Sequence, residues 1–388
     1  MAWAENCIRK TNKPALILTP LAVAQQFVRE AEKFGMEAFK TQDGKVHKGI
    51  NITNYHRLGN YNPDDFCAVC CDEASCIKNF DGKWRKQITA FMQKVPYRLL
   101  GTATPAPNDF MELGTASEAL GIMGRNQMLA MFFTHDMETT QQWRLKGHAK
   151  RRFWEWMGTW ARACRRPSDL GNFSDEGYIL PELKMDRHIL PSTGPRMGFL
   201  PKMAKTLTEQ RDERKRSLIP RCEKVAELVP TKRPCVVWCH LNQEGALLTK
   251  SIRGAVEVSG SMSDEEKEER LVGFSTGQIR VLVTKPKIAG FGLNWQHCSD
   301  VCYFPSHSHE AFYQAIRRCW RFGQDKPVTA YIVATQAERP VLDNMLRKER
   351  QSSELYDGIV RHMSEGIQKN KESSNGKVEM ALPDWMLK

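Results

Sequence analysis

One pattern constrains this chain more than any other: short, nearly continuous apolar runs alternate with amphipathic stretches, and the alternation occurs twice. In the first third, Ala15–Thr19 (ALILT) and 66–71 (FCAVCC) are apolar throughout, as a strand buried on both faces of a parallel sheet must be. Residues 51–53 and Tyr97–Gly101 read as further strands. Between them, 22–34 carries Val23, Phe27 and Ala31 at helical spacing and is closed by Gly35, and 84–94 reads as a second helix. The later region repeats the scheme. Strands are expected at 235–239 (CVVWC), 256–259, 279–284 (IRVLVT), 300–304 and 328–334 (VTAYIVA), with helices at 211–228, 244–252, 264–274, 309–320 and 338–350. This order argues for an α/β chain with two parallel sheets. The stretch from about 116 to 201 has few strand signals and many aromatics, and reads as a mostly helical bridge ending near Leu190-Pro191. The expected domains are 1–118, a bridge at 119–200, a second α/β region at 201–362 and a polar mobile tail at 363–388, low in complexity around 368–377.

Composition narrows the class. A length of 388 residues is compatible with two to three domains. No run approaches the roughly 18 apolar residues of a membrane span, and Met1–Lys10 has no apolar core of a secretory signal. Twelve Cys without such a signal suggest reduced thiols and a cytoplasmic setting. The 57 Lys and Arg against 45 Asp and Glu give a net charge of +12, which suits a polyanionic partner.

Four segments carry candidate chemistry. Asp72-Glu73-Ala74-Ser75 follows an apolar strand directly, and ligands of a parallel sheet bind at strand C-terminal ends. An aspartate there suits Mg²⁺, usually through water, and the adjacent glutamate can polarise a water against a γ-phosphate. Alone, the tetrapeptide reads more readily as a solvated acidic turn. About thirty residues later, 101–108 (GTATPAPN) ends another strand, with Thr102 and Thr104 placed to sense the acidic pair or a phosphate; the alternative is a plain Pro-rich loop. Residues 289–295 (AGFGLNW) follow IRVLVT, with Gly290 and Gly292 permitting close backbone approach to a ligand. The sharpest stretch is 314–324 (QAIRRCWRFGQ). On the expected helix, Arg318 and Arg321 share a face, and two guanidiniums so placed suit a phosphate chain.

In order, these segments resemble superfamily 2 helicase-like ATPases, in particular the Swi/Snf-type group and its phage and mobile-element relatives. Thr19-Pro20 looks like motif Ia, which touches nucleic acid. Asp72–Ser75 with Ile77-Lys78-Asn79 looks like motif II, and 101–108 like motif III. Residues 237–240 resemble motif IV; Gly260, Arg270 and Phe274 fit the segment ahead of motif V; 290–294 and 314–324 look like motifs V and VI. The resemblance covers about residues 15–335. It implies two RecA-like lobes with a helical, Trp/Arg-rich insertion between them, ATP and Mg²⁺ in the cleft, and duplex DNA across the lobes. Asp72 would place Mg²⁺, Glu73 would position the attacking water, Arg318 and Arg321 would stabilise γ-phosphate charge, and Gln314 and Gly292 would serve coupling and nucleotide contact. The setting it implies is a bacterial or phage-infected cell.

One departure stands out. These ATPases carry a P-loop, G-x-x-x-x-G-K-[ST], ahead of motif Ia. Here the Gly-Lys pairs are Gly44-Lys45, Gly82-Lys83 and Gly376-Lys377, and none is followed by Ser or Thr. The opening residues resemble the helix that would follow a P-loop, so the loop and its strand are expected upstream of Met1. The alternative is a non-catalytic nucleic-acid-binding remnant.

Residues 143–166 hold four of the ten Trp and eight Lys or Arg against one acid, Glu155. Phe153, Trp156, Met157 and Trp160 fall at helical spacing and are expected to pack inward. Lys150, Arg151, Arg152, Arg165 and Arg166 are expected to face solvent or phosphate. Cys67, Cys70 and Cys71 lie on one strand, where alternating side chains cannot all face a metal, and read as buried thiols. His297, His307 and His309 show no recognised ligand spacing and are expected to be solvated or capping residues.

Overall fold

The computed structural model describes residues 1–20, 23–77, 82–135, 143–192, 194, 196–197, 200–201, 203–204, 206–289 and 293–373. The chain divides into two units, residues 1–165 with 352–388, and residues 166–351. The bridge expected at 119–200 is therefore shared between them.

Unit 1 begins α1 (Ala2–Thr11), β1 (Ala15–Thr19), α2 (Ala24–Lys33), β2 (Ala38–Lys40), β3 (Ile50–Asn54), β4 (Ala68–Asp72), α3 (Lys83–Lys94) and β5 (Tyr97–Gly101). Its five strands are parallel, in the order β2-β3-β1-β4-β5. Period-two alternation sorts each strand between two cores. Leu16, Leu18, Val69 and Cys71 pack with Ile88 and Met92 of α3 on one face. Ala15, Ile17, Ile50, Ile52 and Ala68 pack with Ala4 and Cys7 of α1 and Ala24 of α2 on the other. The chain continues through α4 (Leu113–Leu120), α5 (Arg125–Phe132), an antiparallel ribbon of β6 (Phe133–His135) and β7 (Trp143–Leu145), and α6 (Lys150–Trp160). Phe153, Trp154 and Met157 are buried, with Trp156 and Trp160 partly buried against the same cluster. The aromatic stripe packs inward as its spacing predicts.

Unit 2 contains β8 (Leu183–Leu190), β9 (Arg196–Met197), β10 (Leu200–Pro201), α7 (Leu207–Arg216), α8 (Leu218–Leu228), β11 (Cys235–Trp238), α9 (Asn242–Ser251), β12 (Ala255–Val258), α10 (Asp264–Ser275), β13 (Val281–Thr284), α11 (Pro286–Ala289), β14 (Asp300–Tyr303), α12 (His309–Ile316) and β15 (Val328–Thr335). Six strands are parallel, in the order β12-β13-β11-β14-β15-β8. Trp238, Leu282 and Tyr303 face one core, and Cys235, Val283 and Cys302 face the other.

Several expectations change. β8 is a strand inside the segment expected to be helical, paired with all of β15 from Val328↔Leu183 to Thr335↔Leu190. The helix expected at 211–228 is two helices, because Pro220 has no N–H to donate to the carbonyl of Arg216. α12 stops at Ile316 rather than 320, and the carbonyl of Arg318 accepts from Trp295 N–H at 2.8 Å instead of continuing the ladder. His309 is buried, 2.6 Å from Glu349, and is not a solvated residue.

The last helix, α13 (Arg339–Ser373), is 35 residues long. The tail expected from 363 is thus helical to Ser373, and 374–388 lie outside the described residues, as do 290–292 and 78–79 of the motif-like segments. Leu342 and Met345 of α13 enter the core of unit 2, and Leu355 and Ile359 enter that of unit 1. No helix among the described residues is long and apolar enough to cross a membrane.

Within unit 1, Lys150 meets Glu354, Trp154 meets Gly358, and Gly158 meets His362. Each step advances one turn on both α6 and α13, so the two helices run parallel here. A Cβ on Gly158 would lie 2.9 Å from the backbone oxygen of His362. Gly158→Ala should therefore lower unit 1 stability by about 1–3 kcal/mol through overpacking, although alanine favours an isolated helix by about 1 kcal/mol. Denaturant unfolding gives the sign.

In unit 2, His240 follows β11 and its Nε2–H donates to the carbonyl of Phe304 at 2.9 Å. Burial, then the nearby Arg214 guanidinium, push its imidazole pKa down to about 4. The folded state therefore favours neutral His240. Its contribution is complete above an unfolded pKa near 6.5 and is lost as pH falls from there to about 4, amounting to about 3 kcal/mol. Urea midpoints across that range should drop for the native protein and flatten in His240→Gln.

Candidate nucleotide and nucleic-acid sites

In unit 1, parallel pairing places the ends of β4 and β5 side by side, with Asp72 in register with Gly101. Thr102 therefore begins its loop next to Asp72. The backbone carbonyl of Asp72 accepts from the Tyr55 hydroxyl, which comes from the end of β3. Burial pushes the Asp72 carboxyl pKa up, while the Met1 ammonium and the Glu73 amide pull it back. A carboxylate short of solvation is one that a bound cation stabilises, so Asp72 fits a Mg²⁺ ligand. Glu73 adopts φ 54°, in the left-handed region that a non-glycine residue rarely enters. That conformation costs about 1 kcal/mol, and strain of this kind concentrates at functional sites.

The loop after β5 is fixed at several points. Thr104 N–H donates to Thr102 Oγ1 at 3.0 Å, and Asn108 donates through its backbone N–H and Nδ2 to Glu112 at 3.0 and 2.7 Å. Tyr356 of α13 donates its hydroxyl to Ala103 O at 2.6 Å. Thr104 is buried, so only Thr102 has a partly open side chain.

The residues expected to touch nucleic acid divide. Thr19 is fully buried, and its hydroxyl donates to the Pro20 carbonyl at 3.0 Å. Its side chain offers no surface, because every residue of β1 lies between two helix layers. Pro20 is half-buried at the strand end. Lys150, Arg151, Arg152, Arg165 and Arg166 all carry solvent-accessible side chains, but most meet carboxylates. Lys150 pairs with Glu354 at 2.8 Å, Arg151 with Glu155 at 2.8 Å and Arg165 with Asp357 at 2.7 Å. In unit 2, Arg166 faces Asp175 at 3.3 Å.

Also in unit 2, Arg318 and Arg321 lie beyond the end of α12, in turns, so they do not share a helix face. They converge by another route. Nη1 of Arg318 donates to Leu293 O at 3.0 Å, and Nη1 of Arg321 donates to Leu293 O at 3.5 Å and to Asn294 Oδ1. The two guanidiniums thus meet at the loop after α11, beside the motif V-like residues. Burial, then the neighbouring Arg317, lower the Arg321 pKa, so an anion there would be stabilised. Gln314 is buried on α12, and its Nε2 has no hydrogen-bond partner among the described residues. Gly292 lies outside the described residues.

Tyr55, Glu112 and Tyr356 are not candidates from sequence, whereas Leu293 and Asn294 fall in the motif V-like stretch. Tyr356 had no local signal at all, since it reaches a loop 253 positions away.

Comparison with known proteins bears on the fold and on part of unit 2. Residues 220–323 match the family described as the helicase conserved C-terminal domain. That span runs from α8 through the turns after α12 and includes Arg318 and Arg321. Among curated proteins, none matches the sequence. Among solved structures, the chain is similar to a Dbp5 variant from S. cerevisiae determined with a Gle1 variant and IP6. The TM-score is 0.50 at 12% identity, over 86% of this chain and 74% of that chain. The likeness is one of fold: two parallel α/β units of the RecA-like kind found in tandem in superfamily 2 helicases.

Proposed function

We propose that this chain is a helicase-type, nucleic-acid-dependent ATPase of the Swi/Snf kind, acting on duplex DNA, and that it turns over ATP weakly. The observation that carries the first part is the convergence of Asp72, the strained Glu73 and Thr102 at the C-terminal ends of two adjacent parallel strands. Bound ATP would supply the phosphoryl group and Mg²⁺ its charge neutralisation. Asp72 would hold Mg²⁺ through water, and Glu73 would orient the attacking water. Arg318 and Arg321 would meet γ-phosphate charge, and Gln314 would serve coupling. Lys150, Arg151, Arg152, Arg165 and Arg166 would supply contacts to DNA phosphates.

The weak turnover rests on a different observation. No G-x-x-x-x-G-K-[ST] occurs in these 388 residues, so the usual nest and lysine for the β- and γ-phosphates are missing from them. β5 is an edge strand, and Arg98, Leu99 and Leu100 line a cavity of about 230 Å³. α4 residues Leu113 and Leu120 line it too, as do Met157 and Ile359. The same missing motif favours the second reading, a DNA-binding protein without efficient catalysis.

Purified residues 1–388 should bind mixed-sequence duplex DNA, with log affinity falling linearly in log salt. ATP hydrolysis should be slow with or without DNA, and Glu73→Gln should reduce what remains by about 100-fold or more. Robust DNA-stimulated turnover by these residues alone would contradict the weak-turnover reading. Hydrolysis unaffected by Arg321→Ala would remove Arg321 from the phosphate site.

A further inference from the structure

The first turn of α6 is Lys150-Arg151-Arg152, three cations where the positive end of the helix dipole favours acids. Such an arrangement works against helix stability and in favour of a bound anion. The structure supplies anions from a distant part of the chain. Glu354 and Asp357 stand three residues apart on α13, hence on one face. Glu354 Oε1 lies 2.8 Å from Lys150 Nζ, and Asp357 Oδ1 lies 2.7 Å from Arg165 Nη1. The register of α6 against α13, locked at Gly158 and Gly358, aims the two carboxylates at these cations. All four side chains remain accessible, at 55% and 50% for Lys150 and Glu354 and 43% and 57% for Arg165 and Asp357. Exposed pairs of this kind contribute little to stability and exchange partners readily. Arg151 is engaged with Glu155 of its own helix, and Arg162 donates to the carbonyls of Gly158 and Ala161. Lys150 and Arg165 are cations of this surface that meet acids of α13.

We propose that Glu354 and Asp357 are internal stand-ins for phosphate: they occupy Lys150 and Arg165 in the free protein, and nucleic acid binds this surface by displacing them. The inference rests on the nucleic-acid reading above. It makes α13 a competitor that sets affinity, without contacting nucleic acid itself.

The test is fluorescence anisotropy of a labelled, mixed-sequence DNA duplex with the full chain, titrated between 50 and 200 mM salt. Four proteins are compared: native, E354Q/D357N, K150A/R165A, and the variant with all four substitutions. Two released pairs should tighten binding of E354Q/D357N by about 2- to 30-fold at the lowest salt. The plot of log affinity against log salt should steepen by about 1.8, for two added phosphate contacts. In the K150A/R165A background the same acid substitutions should give no gain. Circular dichroism checks that each variant is folded. If native protein binds but E354Q/D357N binds no tighter, the inference fails and the nucleic-acid reading stands. If the gain persists without Lys150 and Arg165, it reflects net charge alone and the inference fails. If neither native nor E354Q/D357N binds duplex, both are overturned.

Discussion

Parallel strand pairing is the constraint on which the rest of this molecule depends. Each crossover returns the chain to the same end of the sheet, so every strand's C-terminal loop emerges along one edge. In unit 1 that rule brings Asp72, Thr102 and Tyr55 together from three strands separated in sequence. In unit 2 it places the His240 segment next to Phe304. The cost of the arrangement is two-sided burial. Each strand must supply apolar residues to both faces, as Leu16 and Ile17 do on β1.

That requirement explains what could be read from sequence. β1 falls at its expected residues, because a continuous apolar run ending at Pro20 leaves few other possibilities, and β5 does so despite Arg98 within it. β8 escaped because it is the edge of its sheet. Asp186, Arg187 and His188 interrupt its apolar pattern, and an edge strand tolerates them. α12 was expected to be too long because its end is set by Trp295, a partner remote in sequence. The candidate site was legible where chemistry followed a strand directly, as at Asp72 and Glu73. It was illegible where tertiary contacts decide exposure, as for Thr19, or where α13 brings Tyr356 to Ala103.

Charge shows the same division between local and long-range information. The net charge of +12 suggested a polyanionic partner, and residues 143–166 were its obvious location. In the folded protein that segment is less bare than its composition implies, because acids from α13 lie on it. The cations around Arg321 are different in kind. Arg318 and Arg321 are drawn inward to backbone carbonyls, and Arg321 is crowded by Arg317.

The account stands most directly on where ligands act, which hydrogen–deuterium exchange of residues 1–388 measures with saturating Mg-ATP and duplex DNA. It predicts slowed exchange with Mg-ATP in the segments after β4 and β5 and around 293–321, and with DNA at the start of α6. Protection confined to the opposite edges of the sheets, or none with either ligand, would contradict it.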